Sequence, residues 1–294
     1  MKPIRLLHKC SKTGIVMDRF GIRTNCHKDI DLKTTKVICD YLMSHGKTCL
    51  KDDDFRGNAQ RLAEQVDCLL VLGGDGTLIQ AARKYAPYGV PILGINLGTM
   101  GFLASVEKEN VIECLDALMA DQCIIKNRML LYGKTFRGEQ LIKESVAVND
   151  IIVNRAGFSR LVEMKLYIND DLVDIYAADG LIVSTPTGST GYNLSAGGPI
   201  IYPETEMMVI TPICPHSLSS RSIVVSGHEK VVIEVGRRSK TQEEEALVTY
   251  DGQVVTPLTT YDRVEISQAD IYVRLIEINE RSFYQVLRDK IGHA

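Results

Sequence analysis

Five residues, Gly73-Gly74-Asp75-Gly76-Thr77, stand where the short apolar run CLLVL at 68–72 gives way to a helical pattern. Glycines at such a junction let the backbone approach a ligand closely. The free N–H groups of the helix start attract anions, so a phosphate chain is the natural guest. Asp75 does not fit an anion-binding role. A carboxylate beside phosphates is repelled by them, and it has a use if it faces a hydroxyl that must lose a proton, or a metal ion. A turn aspartate between glycines is the plainer alternative. A dinucleotide fingerprint would continue Gly74 and Gly76 with a glycine at 79, where Ile79 stands, and no Walker A run occurs. The loop is of another kind.

A second stretch, DGLIVSTPTGSTGYNLSAGGPI at 179–200, runs from a strand-like LIVST through Pro186 into Thr187, Gly188, Ser189, Thr190, Gly191, Ser195, Gly197 and Gly198. Such a segment can wrap a polar ligand with backbone N–H groups and hydroxyls, or be a glycine-rich surface loop. Tyr192 can stack on a ring or pack at the edge of the core. Asn149-Asp150, between ESVAV and IIVNR, offers donors and acceptors suited to a base edge or a ribose diol, and is also a common turn pair. NLGTMGFL at 96–103 follows an apolar run, and in an open α/β sheet ligands bind beyond the carboxyl ends of strands, so this loop and GGDGT can share a crevice.

The elements that must position these residues change character midway. Val37, Ile38, Tyr41 and Leu42 form the stripe of a helix over 33–45, with Gly46 as its stop. CLLVL reads as a strand buried on both faces, a helix follows from about Thr77 to Tyr85, VPILGI at 90–95 is a second buried strand, and 110–120 is helical. After about Arg128 the period becomes 2: Val162, Met164, Leu166 and Ile168 alternate with polar neighbours, as do Val231, Ile233 and Val235, and Ile271, Val273 and Leu275. Arg137-Gly138-Glu139, Asn169-Asp170 and Asp251-Gly252 punctuate these runs as turns. Phe283, Val286, Leu287 and Ile291 return to helical spacing at 282–291. The acidic run Glu243-Glu244-Glu245 reads as a solvated loop. The expected fold is an α/β N-terminal domain with a parallel, Rossmann-like sheet, then a mainly β, sandwich-like C-terminal domain.

At 294 residues the chain exceeds one typical domain, and its 45% hydrophobic and 24% charged residues are those of a globular protein. With 34 Lys and Arg against 37 Asp and Glu, a net charge of −3 gives no general pull toward nucleic acid or anionic lipid. No apolar run approaches the roughly 18–20 residues of a spanning helix, and MKPIRLLHKCSK lacks the core of a signal peptide, so a cytosolic protein is expected. The eight cysteines, Cys10, Cys26, Cys39, Cys49, Cys68, Cys114, Cys123 and Cys214, show no zinc spacing and are expected to be reduced and buried.

Taken in order, GGDGT, NLGTMGFL, Asn149-Asp150, DGLIVSTPTGSTGYNLSAGGPI, ICPHSLSSR at 213–221 and Asp251-Gly252 resemble NAD kinases over about residues 67–252. The long second motif is specific, whereas GGDGT is shared with phosphofructokinases and lipid kinases. The resemblance implies transfer of the terminal phosphoryl of ATP to the 2′-hydroxyl of the adenosine ribose of NAD, giving NADP. It implies an α/β phosphate-donor domain over 1–127 and a mainly β NAD-binding domain over 128–279, and the terminal helical spacing adds a helix over 280–294 that is expected to pack back on the first domain. The dinucleotide then lies between them, usually in a homodimer or homotetramer. By the same resemblance Asp75 matches the catalytic aspartate and Gly74, Gly76 and Thr77 its phosphate-binding neighbours. Phe102, Asn149, Asp150, Asp179, Thr187, Ser189, Thr190, Tyr192 and Ser195 match positions lining the NAD site, with Asp251 as a further substrate contact. Gly191 stands where many relatives have alanine, and Ala177-Ala178 where some have bulkier or charged residues. A divalent ion, Mg²⁺ delivered with ATP, needs few protein ligands, and no metal residue is named. NAD and ATP are the expected partners, with neither nucleic acid nor membrane.

Two other readings use the same residues. A lipid or sugar kinase would share GGDGT but leaves the 179–200 run unexplained. A non-catalytic NAD(P) sensor has no use for a carboxylate pressed against phosphates.

Overall fold

Alternation of apolar runs with amphipathic helices builds the first of two units in a computed structural model that describes residues 17–98, 101–104, 106–157, 161–217, 219–237, 244–278 and 282–292. The segment MKPIRLLHKCSK with Cys10, Thr99 and Met100 of NLGTMGFL, and Glu243 of the acidic run lie outside the described residues. One unit comprises Met1–Arg128 with Ile271–Ala294, the other Met129–Asp270.

In the first unit the elements are β1 (Arg19–Thr24), α1 (Lys33–Ser44), β2 (Thr48–Lys51), α2 (Ala59–Ala63), β3 (Cys68–Gly73), α3 (Asp75–Tyr85), β4 (Ile92–Asn96), β5 (Val106–Glu107) and α4 (Val111–Met119). β2, β1, β3 and β4 are parallel neighbours in that order, and β5 also runs parallel to β4. Every residue of β3 and β4 is buried, as expected of central parallel strands, and this is why CLLVL and PILGI carry no polar alternation. α1 and α4 bury Ile38, Leu42, Leu115 and Leu118 together with Leu70, Leu72 and Leu93 of the sheet. Each such side chain contributes about 1.5–3 kcal/mol.

Three expectations are corrected here. Val37 is exposed, and the buried stripe of α1 is Thr35, Ile38, Cys39 and Leu42, one step around the helix. α3 begins at Asp75, two residues before Thr77, so the aspartate belongs to the first helical turn. Cys39 on α1 and Cys49 on β2 form a disulfide with their Cα atoms 5.6 Å apart; among the other described cysteines Cys26 and Cys214 are exposed and Cys68, Cys114 and Cys123 are buried.

The chain then passes into β6 (Ile124–Arg137), β7 (Gln140–Ala147), β8 (Asp150–Arg155), β9 (Val162–Ile168), β10 (Asp171–Ala178), β11 (Gly180–Ser184), the single-turn helix α5 (Tyr192–Ser195), β12 (Met207–Ile213), β13 (Ile223–Ser226), β14 (Val231–Val235), β15 (Glu245–Tyr250), β16 (Val254–Thr259), β17 (Arg263–Glu277) and α6 (Phe283–Ile291). Within the second unit β10, β9, β14 and the first residues of β17 form antiparallel pairs, with β6 on β17 and β7 on β6. A second antiparallel sheet has the order β13-β12-β11-β8-β15-β16. The two sheets meet where Gly133 of β6 leaves room for Ile151 and Tyr250; a Cβ there would lie 2.7 Å from each side chain. Alternation holds over Val162, Met164 and Leu166 of β9 and Val231, Ile233 and Val235 of β14, which are buried, but Ile168 and Ile271 are half-buried and Ile276 of β17 is buried beside Leu275. Asn169 and Asp170, at φ 48° and 73°, make the two-residue β9–β10 turn. In the acidic run, Glu245 opens β15. α6 starts with a capping box on Ser282 and Gln285 and has no buried residue.

Candidate active site

GGDGT lies at the carboxyl end of β3, a strand buried at every residue. Gly74 is the N-cap of α3 and has no side chain to satisfy the first N–H groups of the helix, which stay open to a ligand. The Asp75 carboxylate does not hang free. Its Oδ2 accepts the Phe102 N–H at 2.8 Å, and its Oδ1 accepts those of Leu103 and Ala104 at 3.2 and 3.4 Å. A carboxylate has about four acceptor positions, so three are taken by the following loop and one is left. Gly101 makes this seat possible, because a Cβ at that position would lie 1.9 Å from Oδ1. The start of the loop is fixed by Asn96, whose amide donates to Gly98 O at 2.7 Å and accepts its N–H at 3.1 Å. GGDGT and the described part of NLGTMGFL therefore do form one structure, joined through Asp75.

Gly74, Asp75, Gly76 and Thr77 line a cavity of about 620 Å³ whose opposite wall is the turn after β1, Asn25 to Lys28. Asn25 ties that turn to the phosphate loop by donating from Nδ2 to Thr77 Oγ1 at 3.1 Å. Among the described residues Asp75 is the one acidic side chain in the lining, beside Arg23, His27 and Lys28. The segment 23–28 went unnoticed in the sequence, where it matches no motif.

In the second unit the Asn149-Asp150 pair stands at a corner where β8 begins. Asp251 holds this corner: its carboxylate accepts the N–H groups of Val148, Asn149 and Asp150 at 3.0, 2.7 and 3.2 Å. Burial, and secondarily the negative charge of Asp251, push the Asp150 carboxyl up to about 7, and the residue is 5% exposed. The 184–191 segment is laid directly on this corner. Thr185 donates its N–H to Asn149 O and its hydroxyl to Val148 O, and a Cβ on Gly188 would come within 2.1 Å of Asn149 O.

The hydroxyl and amide groups of this segment divide into two kinds. Ser189 is fully buried and donates to Pro186 O at 2.6 Å while accepting the Ile201 N–H at 3.0 Å, so its hydroxyl is committed to holding the loop. Asn193, which the sequence did not single out, is fully buried too; it donates to Ser189 O and Pro199 O and accepts from Thr211 Oγ1. By contrast, Asn149 Oδ1 and Thr187 Oγ1 are buried with no hydrogen-bond partner. Unpaired buried polar atoms cost stability, and two of them at one corner mark where a polar ligand completes the bonding.

Tyr192 is 45% exposed, outside the core edge and free to stack, and Ser195 is exposed one turn on. Thr190 donates to Thr187 O at 3.3 Å. Asp179, between β10 and β11, pairs with Arg155 at 2.9 Å. Among the described residues no group of three or more His, Cys, Asp or Glu side chains is gathered to hold a metal ion.

The chain matches the family model of the ATP-NAD kinase N-terminal domain over residues 15–123 and that of the ATP-NAD kinase C-terminal domain over 148–278. It is 43% identical over 287 residues to the NAD kinase of Lachnoclostridium phytofermentans, covering 94% of this chain and 99% of that one. It is 38% identical over 286 residues to the NAD kinase of Agathobacter rectalis, with the same coverage. The fold is similar to that of yeast NADH kinase in complex with NADH, at a TM-score of 0.78 and 19% identity over 97% of this chain and 92% of the other. It is also similar to an NAD kinase from Archaeoglobus fulgidus in complex with ATP, at a TM-score of 0.74 and 24% identity over 94% and 99%.

Proposed function

This chain belongs to the ATP-NAD kinase family, and we propose that Asp75 takes the proton in the reaction by which it phosphorylates NAD to NADP. The oxygen of the adenosine-ribose 2′-hydroxyl forms a bond to the terminal phosphorus of ATP as the bond from that phosphorus to the β–γ bridging oxygen breaks. ADP leaves with the electron pair, and the hydroxyl proton passes to Asp75. A general base in reach of such a hydroxyl is worth about 10²–10⁴-fold. The observation that carries this assignment is the seat of Asp75: among the described residues the only acid lining a cavity of glycines, helix N–H groups and cations, held by three backbone N–H groups with one acceptor position left.

Gly74, Gly76 and Thr77 serve the phosphates of the donor in this reading, with Phe102 acting through its N–H on Asp75. NAD is held by the second unit, where Asn149 Oδ1 and Thr187 Oγ1 offer unpaired polar atoms. Asp150, Asp179, Thr190, Tyr192 and Ser195 complete its contacts, and Ser189 and Asp251 position the loop and the corner. A divalent ion, Mg²⁺ in our reading, arrives with ATP, and phosphate oxygens and water fit it better than this cavity, which offers one largely committed carboxylate. When bound, the ion neutralises charge on the transferring phosphoryl.

We also place the enzyme in the cytosol, where ATP and NAD are both at hand, as a homodimer or homotetramer. Leu172, Val173 and Ile175 are exposed on β10, which stands at the end of its sheet, and an apolar strand edge suits association. Sedimentation measures the assembly. The function is tested by mixing the purified protein with NAD, ATP and Mg²⁺ and detecting NADP with an NADP-specific dehydrogenase. Failure to form NADP would overturn the reading, and replacing ATP with polyphosphate defines the donor.

A further inference from the structure

The turn that faces GGDGT across the cavity is clamped at both ends. Asn25 N–H donates to Leu72 O at 2.9 Å, Asn25 O accepts the N–H groups of Lys28 and Asp29, and Asn25 Oδ1 accepts that of His27. On the far side Asp29, which is buried, accepts from Thr34 N, Thr35 N and Thr35 Oγ1 at 2.9, 2.9 and 2.7 Å, fixing the turn to the start of α1. From this rigid platform the Lys28 side chain reaches over the phosphate loop. Its Nζ lies 2.9 Å from where a Cβ on Gly74 would be and 3.7 Å from the same position on Gly98, so it overhangs both glycine loops at once.

Lys28 is also the uncommitted full charge of the cavity. Arg23 is bound to Asp52, whereas Lys28 makes no ion pair or side-chain hydrogen bond among the described residues. The backbone N–H groups left open at the start of α3, those of Asp75 and Gly76, carry only partial charge and would leave a triphosphate's charge largely unneutralised. A primary ammonium with three donors on a flexible stem is suited to supply that charge to oxygens that move during transfer.

We propose that Lys28 binds the phosphate chain of the donor, touching the transferred phosphoryl and the phosphate that leaves from it, and so is a further catalytic residue of the reaction. The proposal rests on the reading that GGDGT holds the donor phosphates. Lys28 stabilises the charge that shifts onto the bridging oxygen as the oxygen–phosphorus bond to it breaks, and takes no proton.

The test compares Lys28→Met, Lys28→Arg and Gly76→Val in steady-state kinetics with ATP, Mg²⁺ and NAD, and in calorimetry with NAD alone. Lys28 is exposed, so its truncation leaves the core untouched. A Cβ at Gly76 meets nothing within 4 Å and projects from the cavity lining, so valine there fills ligand space rather than protein space. Lys28→Met is expected to raise KM for ATP or lower kcat by a combined ~10–100-fold, the worth of a charge-assisted contact. Affinity for NAD should stay within twofold, and Lys28→Arg should recover a substantial part of the loss. Wild-type kinetics in folded Lys28→Met overturn the proposal, and so does an equal loss toward ATP and NAD. If Gly76→Val alone impairs ATP use, the donor site stands and Lys28 is outside it. If neither variant does, the placing of the donor falls with the proposal.

Discussion

Asp75 shows how a hydrogen-bonded carboxylate limits the reading of an isosteric substitution. In Asp75→Asn an oxygen retained at the Oδ1 position still accepts from Leu103 and Ala104, but the amide nitrogen then confronts the Phe102 N–H that Oδ2 accepts at 2.8 Å. The variant should therefore lose kcat by at least about 10²-fold and, separately, about 1–3 kcal/mol of stability from the unpaired N–H. NAD affinity should be nearly intact. Single-turnover kinetics and urea unfolding read the two effects apart, and a wild-type kcat would remove Asp75 from the proton transfer. Thr187 predicts the reverse combination. Its hydroxyl is buried and unpaired in the free protein, so Thr187→Val removes an unsatisfied group and should leave thermal stability unchanged or slightly raised. If the hydroxyl meets the dinucleotide, calorimetry should show NAD binding weakened by roughly tenfold. Unchanged affinity would make Thr187 part of the loop only.

At the scale of elements, α5 is too short to hold itself, and four residues of helix have no stability of their own in water. The loop it belongs to is held from inside by Asn193, whose amide links Ser189 O, Pro199 O and Thr211 Oγ1. Asn193→Ala takes the donor from the buried Ser189 O, at a cost of about 1–3 kcal/mol before relaxation, and from the more exposed Pro199 O, while Thr211 Oγ1 keeps Ser222 Oγ at 2.9 Å. We expect a lowered melting temperature together with weakened NAD binding, while ATP affinity is kept; equal loss of both ligands would count against a local role for the loop. Asn193 was visible in the sequence as a letter but not as an anchor, because nothing in spacing distinguishes a buried Asn from a surface one. The strands were legible for a physical reason: β3 is buried on both faces and reads as an unbroken apolar run, and β9 and β14 are buried on one face and alternate. The start of α3 was not, because Gly and Asp disfavour helix interiors, yet Asp75 is held at the helix start by the N–H groups of 102–104, a contact 27–29 residues away. Lys28 and the Cys39–Cys49 pair likewise depend on chain segments brought together only by the fold.

Across the whole molecule, the two units carry carboxylates of opposite character, and their titrations set the pH range of stability. In the first unit burial pushes Asp52 up, but hydrogen bonds from Lys84, Tyr85 and Arg23 outweigh it and hold the carboxyl below its ordinary value; Thr35 and Thr34 do the same for the buried Asp29. In the second unit Asp262 is buried as well, and Arg137 and the Thr259 N–H bring it below the ordinary value. A group whose pKa is depressed in the fold contributes stability above its unfolded value of 3.8, and that stability is lost as pH falls through the lower folded value. Asp150 has the other sign. With a folded value of about 7 against 3.8 unfolded, the native state binds more protons between the two, so stability falls as pH rises through that window. At 1.36 kcal/mol per unit over roughly three units, the loss is on the order of 4 kcal/mol at most. The ligand-free protein is therefore expected to melt at its highest temperature near pH 4–5, with an acid limb from Asp52, Asp29 and Asp262 and a decline from Asp150 that levels off above about pH 7. Asp150→Asn carries no charge at any of these pH values and should abolish the decline while leaving the acid limb in place. Scanning calorimetry of both proteins from pH 3 to 8 checks this: the difference in melting temperature should be small at pH 4, grow toward pH 7 and level off above it. A difference that stays flat would mean that Asp150 is already ionised in the fold at pH 5, and that neither its burial nor Asp251 raises it.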